Sequence, residues 1–315
     1  MKRVVWITGA HGFIGRHVAL AAAKQDMTTV LGIGHGYWSS NERQRWGIAA
    51  WINGDINQMN LNTLLAVSGP PDVVIHLAGG SSVAASIANP HEDFFRTVVS
   101  SINLLEWLRS ASPETSLVVA SSAAVYGANQ AGPISESTTL NPYSPYGHHK
   151  LMMESLCHSY ATSFGLQSVI ARLFSVYGVG LQKQLLWDIC NRLKNYPETL
   201  DLSGTGDEVR DWVDVFDVAE VLTNLVSYAS VFVPIFNVGS GLGTSVREIA
   251  QIVIDNWRNC GGNKIELNFS GQSRKGDPVS LIADSQHLAT LGLKCLRPVR
   301  EGVMAYIDWW LTHDN

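Results

Sequence analysis

The stretch ITGAHGFIG, residues 7 to 15, decides the fold class of this protein. It continues an apolar run that begins at Val4, and it spaces Gly9, Gly12 and Gly15 three residues apart where a helical pattern begins. Glycines in this array permit a tight turn and let the backbone approach a pyrophosphate, which the N–H groups of the following helix bind. Strand, glycine turn and helix in this order predict a dinucleotide site, whereas the array alone would describe any glycine-rich turn.

Short apolar runs alternate with helical patterns through the first half of the chain, which predicts a parallel sheet with helices on both faces. We therefore expect an α/β fold with a Rossmann-type doubly wound parallel sheet. After about residue 175 the sequence becomes turn-rich, and we expect a smaller C-terminal lobe there. The expected strands are residues 4–8, 28–33, 72–78, 116–122 and 168–174, with a later strand within 231–239, and the expected helices include 13–24, 94–110 and 215–228.

These patterns also predict how the chain divides. The dinucleotide-binding domain is expected to comprise residues 1–175 with a return segment at about 210–240, and the substrate lobe residues 176–209 and 241–315. Within the helix over residues 94–110, the apolar residues recur at helical spacing and are expected to face the core, namely Phe94, Val98, Ile102, Leu105 and Leu108.

Charge and cysteine content restrict the function classes. The 315 residues include 27 acidic and 22 basic ones without a basic run, which argues against nucleic acids and anionic membranes as partners. No stretch has the length of a membrane span or the layout of a signal peptide, so we expect a soluble cytoplasmic protein that acts on a small molecule. The scattered cysteines favour neither a disulfide framework nor a zinc site, and we expect no metal; they are Cys157, Cys190, Cys260 and Cys295.

The end of the second expected strand bears on the choice between NAD and NADP. An acid there normally binds the ribose diol of NAD, and a basic residue binds the 2′-phosphate of NADP. The segment VLGIGHGYWSS, residues 30–40, contains no acid. We therefore expect NADP(H), with NAD(H) still possible if a backbone or water contact replaces the acid. Asp55, farther on, is a candidate acceptor for the adenine amino group or a helix cap. The candidate contacts for a 2′-phosphate are His35, Ser39, Arg43 and Arg45.

The heptapeptide SPYGHHK, residues 144–150, suggests acid/base chemistry. Ser144 can cap a helix that starts at Pro145, so Tyr146 and Lys150 lie one turn apart on the same face. A phenol has an ordinary pKa near 10, which must fall by about three, or roughly 4 kcal/mol, for much phenolate to form at neutral pH. We expect a lysine ammonium and an oxidised nicotinamide to lower it. Alone, the heptapeptide would equally describe a surface helix with an extended lysine.

Taken in order, these motifs resemble the extended short-chain dehydrogenase/reductases that act on nucleotide-linked sugars, the NAD(P)-dependent epimerase/dehydratase group. The likeness covers nearly the whole chain, and a run of matching motifs is far more specific than any one of them. The matching motifs are TGAHGFIG (8–15), GDI (54–56), HLAG (76–79), SSAAVYG (121–127), SPYGHHK (144–150), RLFSVYG (172–178), GTGDEVRDWVDVFDVA (204–219), FNVGSG (236–241) and GDPVSLIADSQHLATLG (276–292).

The resemblance implies a nucleoside-diphosphate sugar as substrate, NAD or NADP as cofactor, and a homodimer joined by a four-helix interface. It implies a catalytic trio in which Tyr146 exchanges a proton with the sugar oxygen, Lys150 holds the nicotinamide ribose, and Ser122 donates a second hydrogen bond. The implied substrate contacts are Ser122, Ser175, Arg210 and Arg274, with Lys183 and Gln184 near the sugar. The implied cofactor contacts are Gly9, His11, Gly12, Phe13, Ile14, Gly15, His35, Asp55, Ile56, Leu77, Ala78, Gly79, Ala120, Tyr146, Lys150 and Phe174.

Several positions depart from the family's pattern and narrow the reaction. Ala123 and Ala124 occupy the positions of the dehydratases' extra acid/base pair, so 4,6-dehydration is not expected. Related epimerase-reductases carry a cysteine at the position of Ala124 and a histidine at that of Gly180, so epimerisation at carbon 5 is doubtful. Thr97 and Ser175 stand where relatives carry asparagines, and their shorter side chains could act through a water.

Two reactions at carbon 4 of the sugar remain. We expect an NADPH-dependent reduction of a 4-keto sugar, because a net reduction uses the NADPH pool; the alternative is a 4-epimerisation with retained cofactor. A second alternative is a non-catalytic NADP(H) sensor, which the presence of Tyr146, Lys150 and Ser122 disfavours. His148 and His149 are expected to face away from Tyr146 as surface or packing residues.

Overall fold

Seven parallel strands form the main sheet of the protein, whose computed structural model describes residues 2–128, 132–195, 198–272 and 278–313. The order across this sheet is β11-β7-β5-β4-β1-β2-β3. The strands of the described chain are β1 Arg3–Thr8, β2 Thr28–Gly34, β3 Ile48–Asn53, β4 Val73–His76, β5 Ser116–Ser122, β6 Pro133–Ile134, β7 Ser168–Leu173, β8 Ser175–Tyr177, β9 Thr199–Leu202, β10 Val209–Asp214, β11 Ile235–Val238, β12 Gly243–Ser245, β13 Glu266–Phe269 and β14 Ser280–Ala283.

Helices cover both faces of this sheet, so the predicted α/β, Rossmann-type fold is confirmed. The helices are α1 Phe13–Ala23, α2 Ser40–Arg45, α3 Gln58–Ser68, α4 Val83–Ala88, α5 Pro90–Phe94, α6 Ser100–Ala111, α7 Pro145–Phe164, α8 Gln184–Leu193, α9 Val215–Leu225, α10 Val246–Asn259, α11 Gln286–Thr290 and α12 Val299–His313. A π-helical turn, Phe95–Val99, joins α5 to α6, and 3-10 turns occupy Ala123–Tyr126 and Val226–Tyr228.

The two faces of the sheet have separate apolar cores because its central strands are buried on both sides. One core packs β-strand side chains against α1 and α9, and the other packs them against α3, α6 and α7. A third core lies among α8, α10 and α12. The return of the chain to the main sheet at β11 agrees with the expected return segment, whereas the exact division into two domains stays a prediction.

The remaining strands of the described chain form two smaller sheets. Strand β10 pairs with β8 and β14 in parallel and with β12 in antiparallel orientation. The buried carboxylate of Asp211 in β10 accepts hydrogen bonds from the backbone N–H groups of Ser240, Gly241 and Ala283, at 2.8, 2.9 and 3.1 Å. One side chain therefore ties together three segments that are far apart in sequence.

The prediction that five apolar residues of the segment 94–110 face the core is only partly confirmed. Leu105 and Leu108 are buried, whereas Phe94, Val98 and Ile102 are half-exposed. The buried positions of the first half of this helix are instead polar, Thr97 and Ser101. A hydrophobic periodicity cannot reveal a helix face whose inward side chains make hydrogen bonds rather than apolar contacts.

Within the described ranges, no helix is long and apolar enough to cross a membrane.

Candidate active site

A cleft of about 1290 Å³ follows the carboxyl ends of β1, β4, β5 and β7 and continues to β10. This is the edge where open α/β sheets bind their ligands. Every implied cofactor and substrate residue within the described ranges lines this cleft, except His11. Arg274, the remaining implied contact, lies outside the described residues. The predicted site residues are therefore brought together from many separate segments of the chain.

The glycine array forms a backbone cradle at one end of the cleft. Gly9 has a φ of 69°, and a Cβ atom there would lie 2.9 Å from the backbone nitrogen of Ala78. A Cβ atom on Gly15 would collide with the carbonyl oxygen of Gly9. Gly12 is the N-cap residue of α1 and has no side chain to bind the first-turn N–H groups, which remain available to an anion. The cradle fits the pyrophosphate of a dinucleotide.

His11 was implied as a cofactor contact, but its imidazole lies outside the cleft. Its Nε2 is 3.1 Å from the carbonyl oxygen of Tyr37, and its ring packs 5.1 Å from that of Trp38. A side chain on Gly36 would collide with this ring. His11 lies in the turn between β1 and α1, and its side chain packs against the loop that follows β2.

At the end of the cleft beside β2 and β3, His35 and Asp55 lie together. The Nε2 atom of His35 is 2.9 Å from Oδ1 of Asp55, and both side chains are largely exposed. The N-cap residue of α3 is Asn57, whose side chain accepts a hydrogen bond from the backbone of Asn60, so Asp55 is not the helix cap. Asp55 instead lines the cleft.

The other candidate contacts for a 2′-phosphate lie away from the cleft lining. Ser39 caps α2 through a capping box with Glu42. Arg43 donates to the Ser40 hydroxyl at 3.4 Å, and the guanidinium of Arg45 lies 5.8 Å from the ring centre of Trp46. Of the four candidates, only His35 lines the cleft, and it is paired with a carboxylate.

The implied catalytic trio of Ser122, Tyr146 and Lys150 is assembled by the start of α7 and the end of β5. Ser144 caps α7 by accepting a hydrogen bond from Gly147 N at 3.2 Å, and Pro145 is in the first turn, as predicted. The backbone N–H of Tyr146 donates to Ser86 Oγ at 3.0 Å. The buried Lys150 donates from Nζ to the Ala120 carbonyl at 2.8 Å, and this Nζ is 5.9 Å from the ring centre of Tyr146. A backbone bond on one side and the Tyr146 ring on the other thus hold the ammonium.

Burial controls the ionisation of both groups. It raises the pKa of the Tyr146 phenol, while a side-chain hydrogen bond with Ser122 lowers it and the charge of Asp93 raises it further. Burial also lowers the pKa of Lys150 to about 8, against the opposing charges of Asp93 and Glu154. Among these influences, only the hydrogen bond with Ser122 favours the phenolate. The expected effects of the lysine ammonium and of an oxidised nicotinamide stay predictions.

Two residues of this region were misread or missed in the sequence. His149 was expected to be a surface or packing residue facing away from Tyr146, but its buried Nδ1 lies 2.6 Å from Oδ2 of the buried Asp93. His148, by contrast, is exposed as expected. Asp93 gave no sequence signal, because its partner is 56 residues away in the chain.

Buried polar side chains of β4 and of the π-helical turn lie near Lys150. The hydroxyl of Thr97 accepts a hydrogen bond from Gly80 N at 2.8 Å. His76 lies with Nδ1 2.7 Å from Thr8 Oγ1 and Nε2 2.9 Å from Ser101 Oγ. Burial lowers the pKa of His76 to about 3, so the ring is neutral between its two hydroxyl partners.

The far end of the cleft contains the implied substrate contacts. Ser175 in β8 pairs in register with Trp212 of β10. Arg210 donates from Nη1 to the carbonyl oxygens of Val209 and Pro278, at 2.9 and 2.7 Å, and also lines the cleft. Gln184 lines it too, with a φ of 66° that is unusual for a residue other than glycine.

The polar groups of the described chain contain no cluster of three or more His, Cys, Asp or Glu side chains suited to a metal ion. The four cysteines are unpaired thiols.

The sequence model of the NAD dependent epimerase/dehydratase family matches residues 5–239. A UDP-glucose 4-epimerase of Azospirillum brasilense is 30% identical over 305 residues, which cover 90% of this chain and 84% of that protein. The crystal structure of a Bacillus cereus UDP-glucuronic acid 4-epimerase, in complex with UDP-glucuronic acid and NAD, has a TM-score of 0.85 at 26% identity and covers 98% of this chain and 99% of its own. A Thermotoga maritima UDP-glucose 4-epimerase with UDP-glucose has a TM-score of 0.86 at 24% identity, with 99% and 100% coverage, and supports the fold.

Proposed function

Since this chain belongs to the NAD dependent epimerase/dehydratase family and is an enzyme of that family, we propose that it is a 4-epimerase of a UDP-linked sugar. The observation that carries this proposal is the single cleft in which Tyr146, Lys150 and Ser122 lie between a glycine cradle and the end that contains Arg210. A dinucleotide and a nucleotide sugar bound at the two ends would meet at this trio. The non-catalytic alternative is set aside, because the trio is complete.

Epimerisation replaces reduction of a 4-keto sugar as the preferred reaction. The preference for reduction rested on NADP, which was favoured because β2 ends without an acid. In the structure a carboxylate is nonetheless present at that edge, since Asp55 is 2.9 Å from His35. A negative charge opposes a 2′-phosphate but can accept hydrogen bonds from a ribose or an adenine amino group. We therefore propose NAD as the cofactor, and a retained NAD suits an epimerase.

The residues of the cleft fit such a cofactor. The cradle at Gly9, Gly12 and Gly15 would hold its pyrophosphate, Asp55 its adenosine, and Lys150 the ribose at its reactive end. When bound, the oxidised nicotinamide accepts and returns a hydride, and its positive charge favours a phenolate.

The chain's own groups would handle the proton of the carbon-4 hydroxyl. Tyr146 would remove this proton and later return it, and the Ser122 hydroxyl would donate a hydrogen bond to the same sugar oxygen. Ala123 and Ala124 also line the cleft. Their methyl groups leave room for the oxidised sugar to present its opposite face to the cofactor, which a 4-epimerase requires.

The test is to incubate the purified protein with UDP-glucose, UDP-galactose, UDP-glucuronic acid or UDP-N-acetylglucosamine, without added cofactor, and to separate the products by chromatography. We expect at least one 4-epimer pair to equilibrate, and Tyr146→Phe to abolish the conversion. Denatured protein should release NAD rather than NADP. Stoichiometric loss of NADPH absorbance with a UDP-4-keto sugar, without any epimer formation, would instead support the reductase.

We further propose that the enzyme is a homodimer. A groove between the half-exposed face of the 94–110 helix and α7 is lined by Phe94, Val98, Leu151 and Met152. An apolar surface of this kind on two neighbouring helices suits a four-helix interface with a second copy of the chain.

A further inference from the structure

A buried pair, the Asp93 carboxylate and the His149 imidazole, lies beside the catalytic trio without belonging to it. Asp93 is 5% exposed and His149 is 9% exposed, and Oδ2 of Asp93 is 2.6 Å from Nδ1 of His149. Burying a carboxylate is costly unless it has a hydrogen-bonded partner, and His149 is that partner for Asp93. The ring of Phe94 packs edge-on against His149, with ring centres 5.4 Å apart, and helps to exclude water.

The backbone of Gly79 and Gly80 separates this pair from Lys150. A Cβ atom on Gly79 would lie 3.2 Å from Lys150 Nζ, and one on Gly80 would collide with the carboxylate of Asp93. The Lys150 ammonium and the Asp93 carboxylate thus pack against two consecutive glycines of one segment that lines the cleft. The sequence neighbours His149 and Lys150 contribute to both sides of this arrangement from one turn of α7.

The other titratable groups around Lys150 either have a charged partner of their own or carry no charge. Glu154 in α7 forms a buried ion pair with Arg172 of β7 at 2.7 Å. The pKa of His76 in β4 is lowered to about 3 by burial, so this ring carries no charge at neutral pH. Burial raises the pKa of the Tyr146 phenol, so this group is neutral when no cofactor is bound.

On the outer side of the pair, Glu92 and Arg96 bind each other at the surface. This exposed ion pair is screened by water and adds little to the charge balance at Lys150. Asp93 is therefore the carboxylate near Lys150 whose partner in the described chain is neither a lysine nor an arginine.

We propose that Asp93 and His149 are positioning residues of the acid/base site, in which His149 orients the Asp93 carboxylate and Asp93 keeps the Lys150 ammonium protonated across the Gly79–Gly80 backbone. This inference rests on the proposed function for its catalytic meaning. Burial lowers the pKa of Lys150 to about 8 even with Asp93 in place, and Asp93 is the largest influence in the opposite direction. Without the carboxylate, much of the lysine would be neutral at physiological pH.

The direct test measures the pKa of the Lys150 amine in protein from which sugar and bound cofactor have been removed. Trace labelling with acetic anhydride across a pH series, followed by mass spectrometry of the peptide that contains Lys150, reports the pH at which its amine loses a proton. We expect a midpoint near 8 in the unaltered chain. Asp93→Asn should lower it by about one pH unit, the effect of removing one nearby opposite charge. The matched controls Glu92→Gln and His158→Gln, exposed residues of α5 and α7, should leave it unchanged.

Variants of His149 keep the proposal testable if Asp93→Asn does not fold. His149→Lys introduces a fixed positive charge beside the carboxylate and should also lower the Lys150 midpoint. His149→Leu should reduce kcat, and His149→Gln, whose amide can still donate to Asp93, should restore most of it. Far-UV circular dichroism and a melting curve identify the folded variants.

The pH dependence of epimerisation is the second measurement. In Asp93→Asn the alkaline limb of the kcat/KM profile should move to lower pH by the same amount as the labelling midpoint. A merely structural role would lower kcat without moving that limb. An unmoved midpoint in folded Asp93→Asn or His149→Lys would overturn the inference, whereas a moved midpoint in a chain that epimerises no sugar would overturn only the proposed function.

Discussion

At the level of single residues, the cleft buries the ammonium group of Lys150, although burial favours the neutral amine. Lys150 is 4% exposed, and burial lowers its pKa from 10.5 to about 8. The unfolded chain therefore binds more protons than the folded one between these values, so the unfolding free energy rises with pH from about 8 to 10.5. Below pH 8 the full cost of burying the charge is present.

This cost predicts that Lys150→Met makes the protein more stable and inactive. We expect the free energy of unfolding at pH 7 to rise by about 2 kcal/mol, less than the pKa difference alone implies because the Ala120 carbonyl loses its donor. Urea denaturation followed by tryptophan fluorescence measures the change. Lys294→Met, at an exposed position, should alter neither property. A less stable Lys150→Met would mean that the ammonium's contacts outweigh its desolvation.

Sequence reasoning found the residues of this site whose spacing is local. Tyr146 and Lys150 are one helical turn apart, and the glycine array spans seven consecutive residues, so both motifs were visible. The pair of Asp93 and His149 was not, because neither residue belongs to a local pattern that predicts the other. The position of the His11 ring was also not visible in the sequence, since the loop that contacts this ring follows another strand.

At the level of elements, the start of α7 fixes the position of Tyr146, the proposed acid/base group. The cap at Ser144 is buried and binds Gly147 N, so it fixes the turn that contains Tyr146. We expect Ser144→Ala to lower the free energy of unfolding by about 1 kcal/mol and also to reduce kcat. Urea titrations and steady-state kinetics measure the two effects. Ser163→Ala, near the exposed end of the same helix, should do neither. An unchanged kcat would show that packing alone positions the phenol.

The strand–turn–helix unit at the N terminus allows a comparison of two glycines. A Cβ atom on Gly15 would collide with Gly9 O, whereas one on Gly12 would lie 3.1 Å from the same atom. Gly15→Ala should therefore lower the melting temperature and abolish NAD binding in calorimetric titrations. Gly12→Ala, at an ordinary φ of −67°, should have the smaller effect on both. Equal losses in the two variants would argue against the tight packing of the cradle.

Most major elements of the sheet were predictable because they are apolar and locally regular. The expected strand at 116–122 matches β5, and those at 4–8 and 168–174 differ from β1 and β7 by one residue at one end. The short strands β6, β8 and β12 were not predicted, because their partners come from distant segments. The π-helical turn at Phe95–Val99 was also invisible, since the pattern around it continues as a helix.

At the level of the whole molecule, the proposed dimer can be tested independently of the proposed activity. We expect light scattering after size exclusion to give twice the mass of the chain, 34.3 kDa. Met152→Arg, in the groove of α7, should shift this mass toward the monomer because an arginine cannot be buried there unpaired. Met59→Arg, an exposed methionine on α3, should leave the mass unchanged. A monomeric unaltered chain would contradict the interface.

The order of the main sheet also has a consequence for synthesis on the ribosome. Strand β7 is flanked by β5 on one side and by β11 on the other, so its outer edge lacks a partner until residues 235–238 have left the exit tunnel. The Asp211 carboxylate, likewise, acquires its last donor only when Ala283 has emerged. A nascent chain of some two hundred residues therefore contains the whole nucleotide cradle and the catalytic helix, yet it must be shielded from its neighbours until the remainder is translated.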